Sequence, residues 1–356
     1  MCLTEIFFIF VNVSNITFVL MKRFHIVLAL SLMLIPAALE GKIVDSLYFD
    51  ARGSFNQEIL EGKYTPRFMA DHFNFNIYGH ISKNITYRVR QRLHVWGDAE
   101  NPFKATDWLC INWQVTPKLK LYAGKTAALI GGYEYDSPAI DVYFYSRFCS
   151  GLDQGYVFGV NMDYNFLPNQ SVILQVGNSP LSNGFKKELA YNIAWGGQFA
   201  KWWKTIWSVN FVEDTDGRMV NYLALGNHLI FGNVAVDVDF FNRAGMGQKN
   251  PLFTDYSIIG KVIWTIRNWN ICAKFGYEIN DAANVDAEGK AYDRVIEPGT
   301  ESLYGGCGLE YFPLKNDKLR LHAIYFTDTF TNIHNIQIGI TWRFRVIKNT
   351  DSNGSN

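Results

Sequence analysis

The chain of 356 residues shows no excess of charge of either sign, with 33 Lys and Arg against 33 Asp and Glu. A nucleic-acid partner would want a strongly basic domain or stripe, so that class is set aside. Cysteine is scarce: of 5 residues, Cys2 falls in the leader, and Cys110, Cys149, Cys272 and Cys307 remain. They form no CxxC and no metal-like spacing, so neither a metal site nor a disulfide framework is expected, although one bridge stays open. After residue 41 no apolar run approaches the roughly 20 residues that a membrane helix needs. No stretch sustains helical periodicity either. Neither GxSxG nor HExxH occurs. The segment "AGKTA" at 123–127 resembles the end of a phosphate-binding loop, but Leu119 stands where a Gly is required and no helix follows. The 7 histidines are scattered, and His80 and His94 read as ordinary interior residues rather than catalytic bases. No catalytic residue, cofactor or metal is expected.

What the chain does have is aromatics, at 16%, and alternation. "NITYRVRQRLHVW", residues 84–96, places Arg88, Arg90 and Arg92 at every second position, with Tyr87, Val89 and Leu93 on the other parity. A strand points successive side chains to opposite faces, so one face is apolar and the other carries three guanidinium groups about 7 Å apart. The same scheme recurs. "HFNFNIYGHIS", "WLCINWQVT", "NVAVDVDFF" and "IQIGITWRF" all alternate apolar with polar residues. Strands are expected near 46–55, 72–82, 85–96, 108–116, 119–126, 155–165, 171–178 and 189–199. A second set is expected near 204–213, 219–231, 234–243, 255–267, 269–279, 302–312, 318–327 and 334–346.

The links between these strands carry the topology. Tight joints such as "SKN", "PK", "LPNQ" and "PLKND" alternate with longer links at 56–71, 97–107, 127–154, 179–188, 244–254 and 280–301. Short turns on one rim and long loops on the other mark an all-β, antiparallel, up-and-down transmembrane barrel of about 16 strands. In lipid, a closed sheet is the β-structure that satisfies every backbone group. The barrel is placed at 42–346, after a mis-start or leader at 1–20 and a signal peptide at 21–41, and before a polar tail at 347–356. The signal peptide rests on Lys22 and Arg23, an apolar core from Ile26 to Ile35, and small residues at Ala37, Ala38 and Gly41. Export and a bilayer partner follow.

Inside such a barrel the inward parity lines water. The basic lining is expected to comprise Arg88, Arg90, Arg92, Lys261, Lys274, Arg320 and Arg343, and the acidic lining Asp237 and Asp239. The 127–154 link carries Glu134, Asp136, Asp141 and Asp153. Two readings of the arginine ladder stand open: it favours anions, as rings of basic residues do in pores, or it neutralises the acidic loop. Basic wall, acidic loop and acidic far wall together would set a field across the pore.

On strand number, the long third loop after "KLKLYAGKTAAL" and the arginine-rich third strand, the mature region resembles the bacterial 16-stranded porins, most of all the phosphate-selective porin O and P family. That resemblance implies a homotrimer whose third loop folds into each pore. Two departures stand out. The third loop is acidic rather than basic, and "NTDSNGSN" follows the last strand, with Phe344 in the place of the terminal aromatic. The expected function is passive diffusion of small hydrophilic solutes, with weak preference for phosphate-like anions. The alternatives are an outer-membrane barrel enzyme (lipase or protease) and a barrel transporter for apolar solutes.

Overall fold

The computed structural model describes residues 43–314 and 318–348. The expected leader and signal peptide at 1–41 and the expected polar tail beyond 348 lie outside the described residues. The first eight strands are β1 Val44–Leu60, β2 Lys63–Ser82, β3 Ile85–Arg92, β4 Thr106–Thr116, β5 Leu119–Ala127, β6 Tyr156–Leu167, β7 Gln170–Asn178 and β8 Leu189–Ala200. Then come β9 Trp203–Glu213, β10 Met219–Phe231, β11 Val234–Gly245, β12 Asp255–Ile266, β13 Trp269–Ile279, β14 Glu301–Tyr311, β15 Leu319–Asp328 and β16 Ile333–Lys348. Each pairs with its neighbours in sequence, and β1 pairs with β16, closing the ring.

The alternation decides which face is which, because laterally paired residues share a face. In β11 and β12, Val236 sits beside Val262 and Asp237 beside Lys261. The exposed parity holds Val238, Ile258, Ile271, Leu309, Ile338 and Ile340. Trp113, Trp202, Trp264, Trp269 and Trp342 are exposed toward the rim of short turns, where an interface belt belongs. That rim holds the connections 83–84, 117–118, 168–169, 201–202, 232–233 and 267–268, while 93–105, 128–155, 179–188, 246–254 and 280–300 lie on the other.

Three expectations are corrected. The link 56–71 is not a loop: β1 and β2 stay paired to Leu60 and Lys63. Glu61 (φ 49°) and Gly62 (φ 76°) both lie in the left-handed region, the requirement of a two-residue hairpin turn whose twist matches the strands. The third strand ends at Arg92 rather than 96. The interior is also not uniformly polar. Val212, Val220, Tyr222, Ala224, Phe241 and Ile259 point inward and pack with Ile130, Phe148, Leu181 and Ile296 from the loops. Toward the long-loop rim, this side of the barrel carries a hydrophobic core of its own.

Candidate functional site

Bonds from the segment 128–155 go to inward-facing side chains on β1, β11, β13, β14 and β15. The segment contains α1 (Tyr133–Asp136), a 3-10 turn (Ala139–Asp141) and α2 (Arg147–Gly151). The first N–H groups of a helix have no partner within it and favour negative charge. Wall carboxylates supply that partner twice. Asp239 on β11 accepts from the Tyr133 and Glu134 N–H groups at 2.8 and 2.7 Å. Glu278 on β13 accepts from Arg147 and Phe148 at 2.7 and 3.0 Å. Further round, Lys274 Nζ lies 2.5 Å from Glu134, Arg320 lies 2.9 Å from Asp141, and Tyr143 donates to Glu310 at 2.6 Å. Arg52 on β1 donates to the Ile140 and Val142 carbonyls at 2.9 Å each.

The arginine ladder faces the interior on β3, eight strands from β11 in either direction round the ring. Its three members have different surroundings. Among the described residues Arg88 makes no ion pair; its guanidinium stacks 3.9 Å from the Trp108 ring centre and 5.0 Å from that of Tyr78. Arg90 and Arg92 share Asp107, at 2.8 and 3.0 Å, and Arg90 also bonds Tyr156. Two of the three ladder arginines are therefore matched by Asp107 rather than by the loop acids. Asp107 was missed because simple alternation from Trp108, Cys110 and Asn112 points it outward. A register shift opposite Arg90 and Gln91 turns it in.

The remaining expected site residues are placed as follows. Arg343 lies 2.6 Å from Asp50, and Arg320 lies 3.2 Å from Glu310 as well as beside Asp141. Asp237 bonds His228 at 2.6 Å. Asp239 is engaged by α1, so neither aspartate of the far wall is free of a partner. Asp136, Asp153 and Lys261 form no ion pair among the described residues. Lys261 lines a cavity of about 330 Å³ between the third loop and β11–β16, with Lys274, Arg320, Arg343, Asp237, Glu310 and Phe144 in the same lining. Lys125 of "AGKTA" is buried, its Nζ on the Phe103 carbonyl at 2.7 Å. The four described cysteines are all free. Cys149 contacts Glu134 at 3.6 Å, and burial pushes its thiol up, which suppresses the nucleophilic thiolate.

The described residues form a closed antiparallel barrel with an apolar exterior, an aromatic belt and a charged interior. No protein-family model matches the chain, and no curated protein sequence matches it. Solved structures do. OmpF of Salmonella typhi in complex with daunomycin matches with TM-score 0.57 and 12% identity, over 84% of this chain and 97% of that one. The outer membrane channel DcaP of Acinetobacter baumannii matches with TM-score 0.57 and 11% identity, over 84% and 96%. A trimer form of OmpT, an outer membrane protein of Vibrio cholerae, matches with TM-score 0.57 and 12% identity, over 84% and 99%. The chain shares its fold with outer-membrane porins.

Proposed function

We propose that this chain is a bacterial outer-membrane porin, a water-filled passage for small hydrophilic solutes, with no catalytic activity and no cofactor. The observation that carries the reading is the third loop, tied by wall carboxylates and cations to the inside of a closed barrel whose exterior suits lipid. A loop so placed narrows the passage and leaves its charged wall to act on whatever crosses. The exposed aliphatic band fits a bilayer, and assembly as a homotrimer belongs to the same proposal.

The charge pattern argues for weak selectivity. A phosphate-specific site needs several cationic groups free to converge on one anion. Asp107 occupies Arg90 and Arg92, and Glu134, Asp141 and Asp50 occupy Lys274, Arg320 and Arg343. Arg88 and Lys261 are left to favour anions, with Asp136 and Asp153 opposing them. The proposal is therefore a general-diffusion pore of weak selectivity, in which any anion preference is slight. Single-channel recording of the purified chain in planar bilayers tests it. Stepwise, long-lived conductance with small reversal potentials in asymmetric salt is the expected result. A barrel that inserts without conducting would remove the channel reading.

A further inference from the structure

The 330 Å³ cavity between the third loop and β11–β16 has two unlike halves. One is apolar: Ile259, Ile263 and Ile324 project inward from β12 and β15, and Phe144 closes the loop side. Lumen-facing positions of such barrels are ordinarily polar; Ile259 also serves the core against the third loop, which leaves Ile263 and Ile324 to call for a reason. The other half is charged, with six carboxylates and four cations, and all but one of these ten groups have a partner. Asp50 holds Arg343, Glu134 holds Lys274, and Asp141 and Glu310 hold Arg320. Asp237 bonds His228, and Asp239 caps α1. Lys261 differs. Among the described residues it is the one charged group of the lining with neither a hydrogen bond nor an ion pair, and it is only partly buried. Its lateral neighbours in register, Asp237 and Lys274, are both engaged elsewhere.

One uncommitted ammonium beside an aliphatic and aromatic wall defines its complement. We infer that the cavity is a binding site for small monoanions with an apolar body, such as aromatic or branched carboxylates, held by Lys261 at the anionic end. The volume agrees, since a cavity of about 150 Å³ already accommodates benzene, and about twice that leaves room for a ring and a short carboxylate arm. A dianion would find one free cation and a hydrophobic wall, and a neutral sugar few unengaged polar partners. The site deepens the channel reading and rests on it: solutes of this class would pause here during passage.

The test is calorimetric titration of the full chain in detergent with 3-phenylpropionate, with acetate and neutral 3-phenylpropanamide as controls. Saturable binding of the phenyl carboxylate is expected, with both controls weaker by about tenfold or more. Lys261→Met should lose about tenfold in affinity while Lys261→Arg keeps most of it, and Ile263→Asn should weaken binding with the charge intact. Heat-shifted gel mobility confirms that each variant is folded. Absent binding to the folded wild type, or equal binding to Lys261→Met, overturns the site. Bilayer recordings in parallel separate the two readings. Conductance without binding removes the site and keeps the channel, whereas saturable, Lys261-dependent binding without conductance keeps the site and removes the channel.

Discussion

The Asp107 carboxylate lies 2.9 Å from Nε of Arg90, and both side chains are nearly buried in the wall of the lumen. The same carboxylate reaches Arg92, so one aspartate offsets two of the three ladder arginines. Asp107→Asn should therefore unmask positive charge and move the reversal potential toward anion preference. Each unmasked charge is worth about 1 kcal/mol or less in a hydrated pore, where the effective dielectric is high. Replacing Arg88, Arg90 and Arg92 together by Ala should move it the other way, toward cations. If neither variant shifts the reversal potential, the ladder lies off the conduction path.

Asp107 also marks where reading the sequence stops. The strands were legible because a period of two is a local property, and segments such as "NVAVDVDFF" carry it within nine residues. The alternating lengths of the links told which rim was which. The hairpin at Leu60–Lys63 escaped because Glu61 is an unusual residue for a left-handed turn position, although Gly62 beside it is the expected one. The ion pairs escaped for a different reason. Arg320 meets Asp141, and Glu134 meets Lys274, across more than a hundred residues of chain. Which acid meets which base depends on where the third loop lands, and that follows from closure of the ring. Its hydrophobic core, with Phe148 against Tyr222 and Phe241, is likewise a product of closure.

The third loop is held by charge-assisted hydrogen bonds at both of its helices. Asp239→Asn or Glu278→Gln removes the charge from one anchor, and bonds of this kind contribute about 1.5–3 kcal/mol. Either variant should give noisier, flickering single-channel currents with little change in barrel stability. Deleting most of 130–150 should raise the conductance outright. Unchanged conductance after deletion would place the loop outside the conduction path.

Arg243 and Asp293 form a pair at 2.5 Å with both side chains fully buried, tying the 280–300 loop to β11. Arg243 also donates to Ser257 at 2.7 Å, and Ser257 donates to Glu278, which caps α2. Removing one partner of a buried pair leaves an uncompensated charge and typically costs about 3–5 kcal/mol. Asp293→Ala should lower the urea midpoint of the refolded barrel accordingly. It should also disturb the third loop, which shares the network through Glu278, so flicker is expected in its recordings too. A variant with wild-type stability and quiet currents would show the network to be dispensable.

The sharpest test of the whole arrangement uses one strand and its two faces. On β3, Val89 lies beside Ile77 and Leu109, on the parity assigned to lipid, while Arg88 lies beside Tyr78 and Cys110 on the inner parity. Val89→Arg places a guanidinium among those aliphatic neighbours, where a charge near the bilayer midplane costs about 2–4 kcal/mol. Arg88→Ala removes a charge that no carboxylate among the described residues matches, so its main loss is stacking on Trp108, about 0.5–2 kcal/mol for a cation over an aromatic ring. The lipid-face variant should therefore unfold at clearly lower urea in vesicles, and the lumen-face variant should fold and change only conduction. The two substitutions are one residue apart, so differences in depth or local backbone cannot account for opposite outcomes. Should Val89→Arg prove harmless while Arg88→Ala prevents folding, the inner and outer faces of this strand have been exchanged.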